Sequence, residues 1–181
     1  VLKELYIFSI IEKIFIENNL SNKISKITGY NYSIDFLTAY RTYPILEKEI
    51  GGNFYANKWH IDKPFSSNNL KVIVPIKPIS VNGGGIKILS KENTKKIINL
   101  KDVNDFYTME SNLNEILIFN PNQCYHKAGN PENDQIREQI IIQLNPANNW
   151  SINLNIFKKQ YLREPKFPVF SYFFDKRKII C

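Results

Sequence analysis

The chain has 181 residues, 43% hydrophobic and 23% charged, with a net charge of +7 and a pI near 9.3. That length supports one domain, residues 1–181, with a proper core, and no stretch reaches the roughly 18 apolar residues of a membrane span. The charge permits an acidic partner or an anionic substrate, but the basic residues are scattered with no run of five, which argues against nucleic acid.

The two cysteines, Cys124 and Cys181, form no CxxC pair, so no disulfide framework is indicated and a reducing cytoplasm is expected. The opening Val1-Leu2-Lys3-Glu4-Leu5 carries charges through its apolar pattern and does not read as a signal peptide.

Apolar residues at Leu2, Leu5, Tyr6, Ile10, Ile14 and Phe15 have helical spacing and predict a helix from residue 1 to about 20, broken by Asn18-Asn19. Ile24 to Ile27 is predicted as a strand, Gly29-Tyr30-Asn31 as a turn, and Ile34 to Tyr43 as a strand across the pocket. Gly51-Gly52 precedes a predicted strand from Asn53 to Ile61; Pro64 and Ser66 to Asn69 follow as a loop. Leu70 to Ile76 is a strong strand whose Pro75 marks an edge or end. Val81 to Gly85 reads as a tight turn, Ile86 to Leu89 as a strand, Ser90 to Lys96 as a capped surface helix or loop, and Asp102 to Asn114 as loop. Strands follow at Glu115 to Phe119 and Arg137 to Leu144, with turns at Asn120 to Asn122 and Gly129 to Gln135. The aromatic tail, including Trp150, Phe157, Tyr161 and Phe170, is expected to pack outside the barrel. Short strands with turn residues between them point to a mainly β fold, an antiparallel barrel or jelly roll with flanking helices.

The chemistry centres on Lys58-Trp59-His60-Ile61-Asp62. On extended chain, His60 and Asp62 point the same way. The second of only two histidines, His126, comes 64 residues after Asp62, just past the Asn-Pro-Asn turn. Two imidazoles and one carboxylate on one side of an ion form the facial triad of non-haem Fe(II) oxygenases. Arg137 begins the next strand, and a planar guanidinium facing a pocket suits two-pronged binding of a carboxylate, here that of 2-oxoglutarate. Gln139 shares its face, and Tyr55 is a candidate second anchor from the strand before the triad. The bland readings are a hydrogen-bonded structural histidine, a surface arginine paired with Glu138 or Asp134, and a packing role for Tyr55. Trp59 and Phe65 read as core or pocket walls, and Cys124 as a small buried hydrophobe.

These residues resemble the Fe(II)/2-oxoglutarate-dependent dioxygenase superfamily, nearest its phytanoyl-CoA dioxygenase-like branch. The resemblance is carried by Trp59 to Asp62, Lys71 to Ile76, Gly85 to Leu89, His126 to Gly129 and Arg137, and covers about residues 53–145. It implies a double-stranded β-helix (jelly roll, cupin-like) with iron in its mouth, held by His60, Asp62 and His126, and 2-oxoglutarate held by Arg137. It further implies O2 as co-substrate and release of succinate and CO2. A carboxylate at Asp62, where related halogenases have a small residue, favours hydroxylation. The chain departs from the branch at Leu89-Ser90-Lys91, where a Gly-Ser-His-like turn is usual, and in its short length. Other readings of the same residues are a cupin-type zinc or manganese hydrolase or isomerase, a binding protein with a vestigial metal site, and a hydroxylase of nucleic acid or protein.

Overall fold

The computed structural model describes residues 11, 13–45, 55–62 and 66–152. Most of the expected first helix, Gly51-Gly52, Phe65 and the aromatic tail beyond Ile152 lie outside them. Within the first helix's range, Lys13–Glu17 forms one π-helical turn with Phe15 buried. The strand expected at Ile24 to Ile27 is instead helical: α1 runs Leu20–Thr28. Leu20 and Ile24 fall four apart on one face, and Ile24 is buried while Ile27 is 85% exposed. Gly29 ends the helix at φ 77°, its N–H donating to Ser25 O at 2.8 Å. Trp150 Nε1 donates to Ser25 Oγ at 2.8 Å and ties α1 to the sheet beneath.

Two sheets carry the rest. The strands of the larger are β1 (Asn31–Thr42), β2 (Leu70–Pro75), β5 (Leu117–Phe119), β7 (Arg137–Ala147) and β8 (Ser151–Ile152), in the order β5-β2-β7-β1-β8. The smaller contains β3 (Lys87–Ile88), β4 (Tyr107–Thr108) and β6 (His126–Lys127), in the order β4-β3-β6. The pairs β1–β7, β2–β7, β2–β5, β3–β4 and β3–β6 are all antiparallel, and only β8 joins in parallel. The chain passes back and forth between the sheets, which is the winding of the double-stranded β-helix, or jelly roll, expected from the sequence. A short helix, α2 (Lys91–Lys96), capped by Ser90 Oγ accepting from Asn93 N, lies between β3 and β4.

Two further expectations change. The strand over Asn53 to Ile61 is a 3-10 turn at Tyr55–Asn57, where Ala56 O accepts from Ala128 N at 2.7 Å, and it touches the sheet only where His60 bridges His126. The segment 102–114, expected to be loop, contains β4, because Tyr107 and Thr108 find partners in Ile88 and Lys87. Pro75 does end its strand.

The period-two alternation of the large sheet makes two unlike faces. Its outer face packs Tyr32, Ile34, Leu37, Leu70, Val72, Ile142 and Leu144 with Phe15 and Ile24. Its inner face meets the small sheet through Ile73, Phe119, Ile88 and Met109, with Ile141 and Leu117 alongside. In β1 the register slips between Ile34 and Phe36, leaving Asp35 without a partner across the ladder. Ile34 and Leu37 therefore both face outward, and Phe36, Thr38, Tyr40 and Thr42 turn inward opposite Gln143, Ile141, Gln139 and Arg137. Close backbone approach closes one end: a Cβ on Gly85 would collide with Met109 O, and one on Gly129 with the backbone of Gly84 and Gly85.

Candidate metal centre

His60 and Asp62 are presented by extended chain pinned on both sides. His60 and His126 exchange both backbone hydrogen bonds at 3.0 Å, and Asp62 N donates to Pro121 O at 2.9 Å. Pro121 belongs to the turn before β6, in which Gln123 N and Cys124 N both donate to Asn120 O. The turn that delivers His126 is thus also what fixes Asp62, although 64 residues separate them in sequence.

The three side chains converge. His60 Nε2 and His126 Nε2 each lie 3.6 Å from Asp62 Oδ1. The imidazole rings are 4.3 Å apart, and one ligand atom from each residue falls within 4.8 Å of the others. At 3.6 Å these are not hydrogen bonds. Two ligands each about 2.1 Å from a shared ion stand on the order of 3–3.5 Å apart, close to what is seen. His60 Nδ1 is 2.7 Å from Lys58 O, and His126 Nδ1 is 3.1 Å from Cys124 O. A carbonyl can only accept, so both Nδ1 atoms carry the proton and both Nε2 atoms offer a lone pair toward Asp62. His126 Nε2 is buried and has no hydrogen-bond partner, a costly arrangement without a ligand. Burial first, then the charges of Lys71 and His60, push the His126 pKa down to about 4, against the Cys124 carbonyl and Asp62, which raise it. The imidazole is neutral at physiological pH, the form that binds metal.

Asp62 Oδ2 is held by Lys71 Nζ at 2.5 Å. Lys71 belongs to no metal-ligand motif in the sequence; the signal for it is period two, since Lys71 shares the inner face with Ile73. This lysine occupies one carboxylate oxygen and leaves Oδ1 to the histidines. Phe119 packs edge-on to the His126 ring, centroids 5.1 Å apart. A cavity of about 400 Å³ opens from Phe119 and Cys124, between Ile88 and Leu117, toward Asn93 and Asp105. Burial raises the Cys124 thiol pKa, so the residue enters the site through its carbonyl and as cavity wall. Trp59 meets Lys127 and the ring of Phe106, a residue that also lines this cavity.

Arg137 is 4% exposed, Gln139 2%. The pairing of Arg137 with Glu138 or Asp134 does not occur. Glu138 points to the outer face and meets Arg41 at 2.5 Å and Lys77 at 3.4 Å, and Arg137 has no acid partner among the described residues. Its guanidinium donates to Gly129 O at 3.1 Å and Thr42 Oγ1 at 3.3 Å, leaving Nε buried and unpaired. Burial lowers its pKa. Gln139 Nε2 donates to the Tyr40 hydroxyl at 2.5 Å, leaving Oε1 buried without a partner. Tyr40 and Thr42, neither singled out in the sequence, complete this polar patch. Tyr55 begins the 3-10 turn, and its side chain lies outside the described residues.

No family model and no curated protein sequence matches the chain. Solved structures do. The chain is similar to the non-heme alpha-ketoglutarate-dependent epimerase SnoN from nogalamycin biosynthesis, at 15% identity and TM-score 0.55, over 75% of this chain and 55% of that one. It is similar to EvdMO1 at 13% identity and TM-score 0.51, over 75% of this chain and 32% of that one. The chain spans about half the length of the first and a third of the second. At these identities the likeness is one of fold, and it joins a jelly roll to a His-Asp-His cluster in its interior.

Proposed function

We propose that this protein is a non-haem Fe(II)- and 2-oxoglutarate-dependent dioxygenase that hydroxylates a small-molecule substrate. The observation that carries the reading is the convergence of two deprotonated Nε2 atoms on one carboxylate oxygen, one of them buried and orphaned. The donor set, two imidazoles and a carboxylate, fits Fe(II) and leaves coordination positions for small molecules. When bound by His60, Asp62 and His126, iron with 2-oxoglutarate and O2 would supply oxidation of a substrate C–H bond, coupled to decarboxylation to succinate and CO2.

The chain's own groups account for the rest. The Lys58 and Cys124 carbonyls hold the two imidazoles in one tautomer. Lys71 restrains Asp62 to one free oxygen. Arg137, a buried cation without an acid among the described residues, would take the distal carboxylate of 2-oxoglutarate, with Gln139, Thr42 and Tyr40 around it and Tyr55 as a further candidate. The cavity beside Phe119, apolar on its walls and polar at Asn93 and Asp105, suits a mostly apolar small molecule with a polar end. The sequence pattern still points to the phytanoyl-CoA dioxygenase-like branch. SnoN is described as an epimerase, so inversion at a carbon stands beside hydroxylation as an outcome.

The test is succinate release from 2-oxoglutarate with Fe(II), across a panel of small metabolites with product analysis. Turnover above background is expected in wild type and none in His60→Ala or Asp62→Ala. Equal turnover in those variants removes the proposal, and turnover independent of 2-oxoglutarate would fit a hydrolase or isomerase built on the same ligands.

A further inference from the structure

The outer face of the small sheet carries a feature the metal centre does not use. β3 and β6 pair at only two positions, Ile88 with His126 and Lys87 with Lys127. The first pair faces inward, so the two lysines stand side by side on the outer surface. Like charges directly opposite on a ladder are destabilising, and a strand pair this short has little else to offset them. Lys71, Lys77 and Lys96 each meet an acid; neither Lys87 nor Lys127 has an acid within ion-pair reach among the described residues.

The ammonium groups are instead fixed by rings. Lys127 Nζ sits 4.8 Å from the centroid of Trp59, and Lys87 Nζ 5.1 Å from that of Phe106. The two rings meet edge to face, 5.5 Å between centroids. A cation over a ring is attracted to it but keeps its N–H donors for another partner. The result is two positive charges held next to each other on half-buried stems, with six N–H donors and no carboxylate between them.

We propose that Lys87 and Lys127, held over Phe106 and Trp59, form a binding site for a small phosphate-class dianion on the outer face of the small sheet. Two lysines acting as point charges match a doubly charged tetrahedral group. The site is separate from Arg137, which lies on the inner side of the large sheet, and it does not depend on the metal reading.

The experiment titrates inorganic phosphate, at low ionic strength and with chelator present, into the whole chain, followed by calorimetry and by Trp59 emission. Saturable binding is expected, with Trp59→Phe keeping the heat and losing most of the emission change. Lys87→Met and Lys127→Met should each weaken binding by about tenfold or more, while Lys95→Met, on exposed α2, should not. A readout independent of variant folding is amine-reactive labelling of wild type: phosphate should protect Lys87 and Lys127 and not Lys95. AMP binding tighter than phosphate with the same lysine dependence names a nucleotide as the source, and equal binding names the free anion. Absence of saturable binding, wild-type affinity in both Met variants, unprotected lysines, or a response to a single-stranded oligonucleotide alone would each overturn the site.

Discussion

Arg137 and Glu138 are neighbours on β7 and both are almost wholly buried, at 4% and 2% exposure. They differ in which way they face. Glu138 looks outward to Arg41 and Lys77, two cations that satisfy it in place. Arg137 looks inward, with neutral oxygens for company among the described residues and its Nε buried without a partner. Burying a charge is costly unless it is paired. Glu138 is complete within the fold; on the proposed function, Arg137 is completed by the distal carboxylate of 2-oxoglutarate. On that proposal, the pair separates a residue that holds the jelly roll together from one that serves its ligand.

The comparison breaks most directly at Arg137. Arg137→Met is expected to raise the KM for 2-oxoglutarate about 30- to 1000-fold, the equivalent of about 2–4 kcal/mol for truncating one side of a buried charge contact. Its Tm should hold or rise, since an unpaired buried cation has been removed. Glu138→Ala should do the reverse, lowering Tm by a few degrees with little change in that KM. Loss of stability in Arg137→Met comparable to that in Glu138→Ala would mean the arginine is a structural residue like its neighbour.

A second contrast concerns protonation. His126 titrates near 4 in the folded chain and near the ordinary imidazole value of 6.5 when unfolded. The unfolded state therefore binds more protons between those values, and stability rises with pH across that window. The metal-free protein should be most stable above about pH 6.5 and lose stability as pH falls toward about 4, as urea midpoints at several pH values would record. His126→Gln should flatten that slope. The smallest expected effect is at Lys71. Lys71→Met removes a charge that lowers the His126 pKa and frees Asp62, which raises it. Both changes should move the imidazole titration upward, by less than the burial effect, as seen by NMR of its ring protons. An unchanged titration would mean that Lys71 does not govern this carboxylate.

Much of this was readable from the chain. His60, Asp62, His126 and Arg137 stood out because metal and carboxylate chemistry draws on few side chains, and the chain has only two histidines. The β-rich order followed from alternation in Leu70 to Ile76 and Arg137 to Leu144. What escaped was set by distant partners. Ile24 to Ile27 has β-branched residues but turns helical because Trp150, far along the chain, docks on Ser25 and Ile24 joins the outer core. The approach to His60 curls at Tyr55 to Asn57 because Ala128 takes the Ala56 carbonyl. Lys71, Tyr40 and Thr42 reach the inner face by register, and register is a property of two strands together.

The irregularity at Asp35 shows how finely that register steers the interior. It inserts one residue, and everything downstream in β1 rotates by half a turn. Were Asp35 paired like its neighbours and the strand regular throughout, Leu37, Ala39 and Arg41 would face the chamber, and the Tyr40 phenol and Thr42 hydroxyl would enter the greasy layer under α1. The lining of the chamber is therefore chosen as much by where β1 leaves one residue out of the ladder as by which amino acids the strand contains.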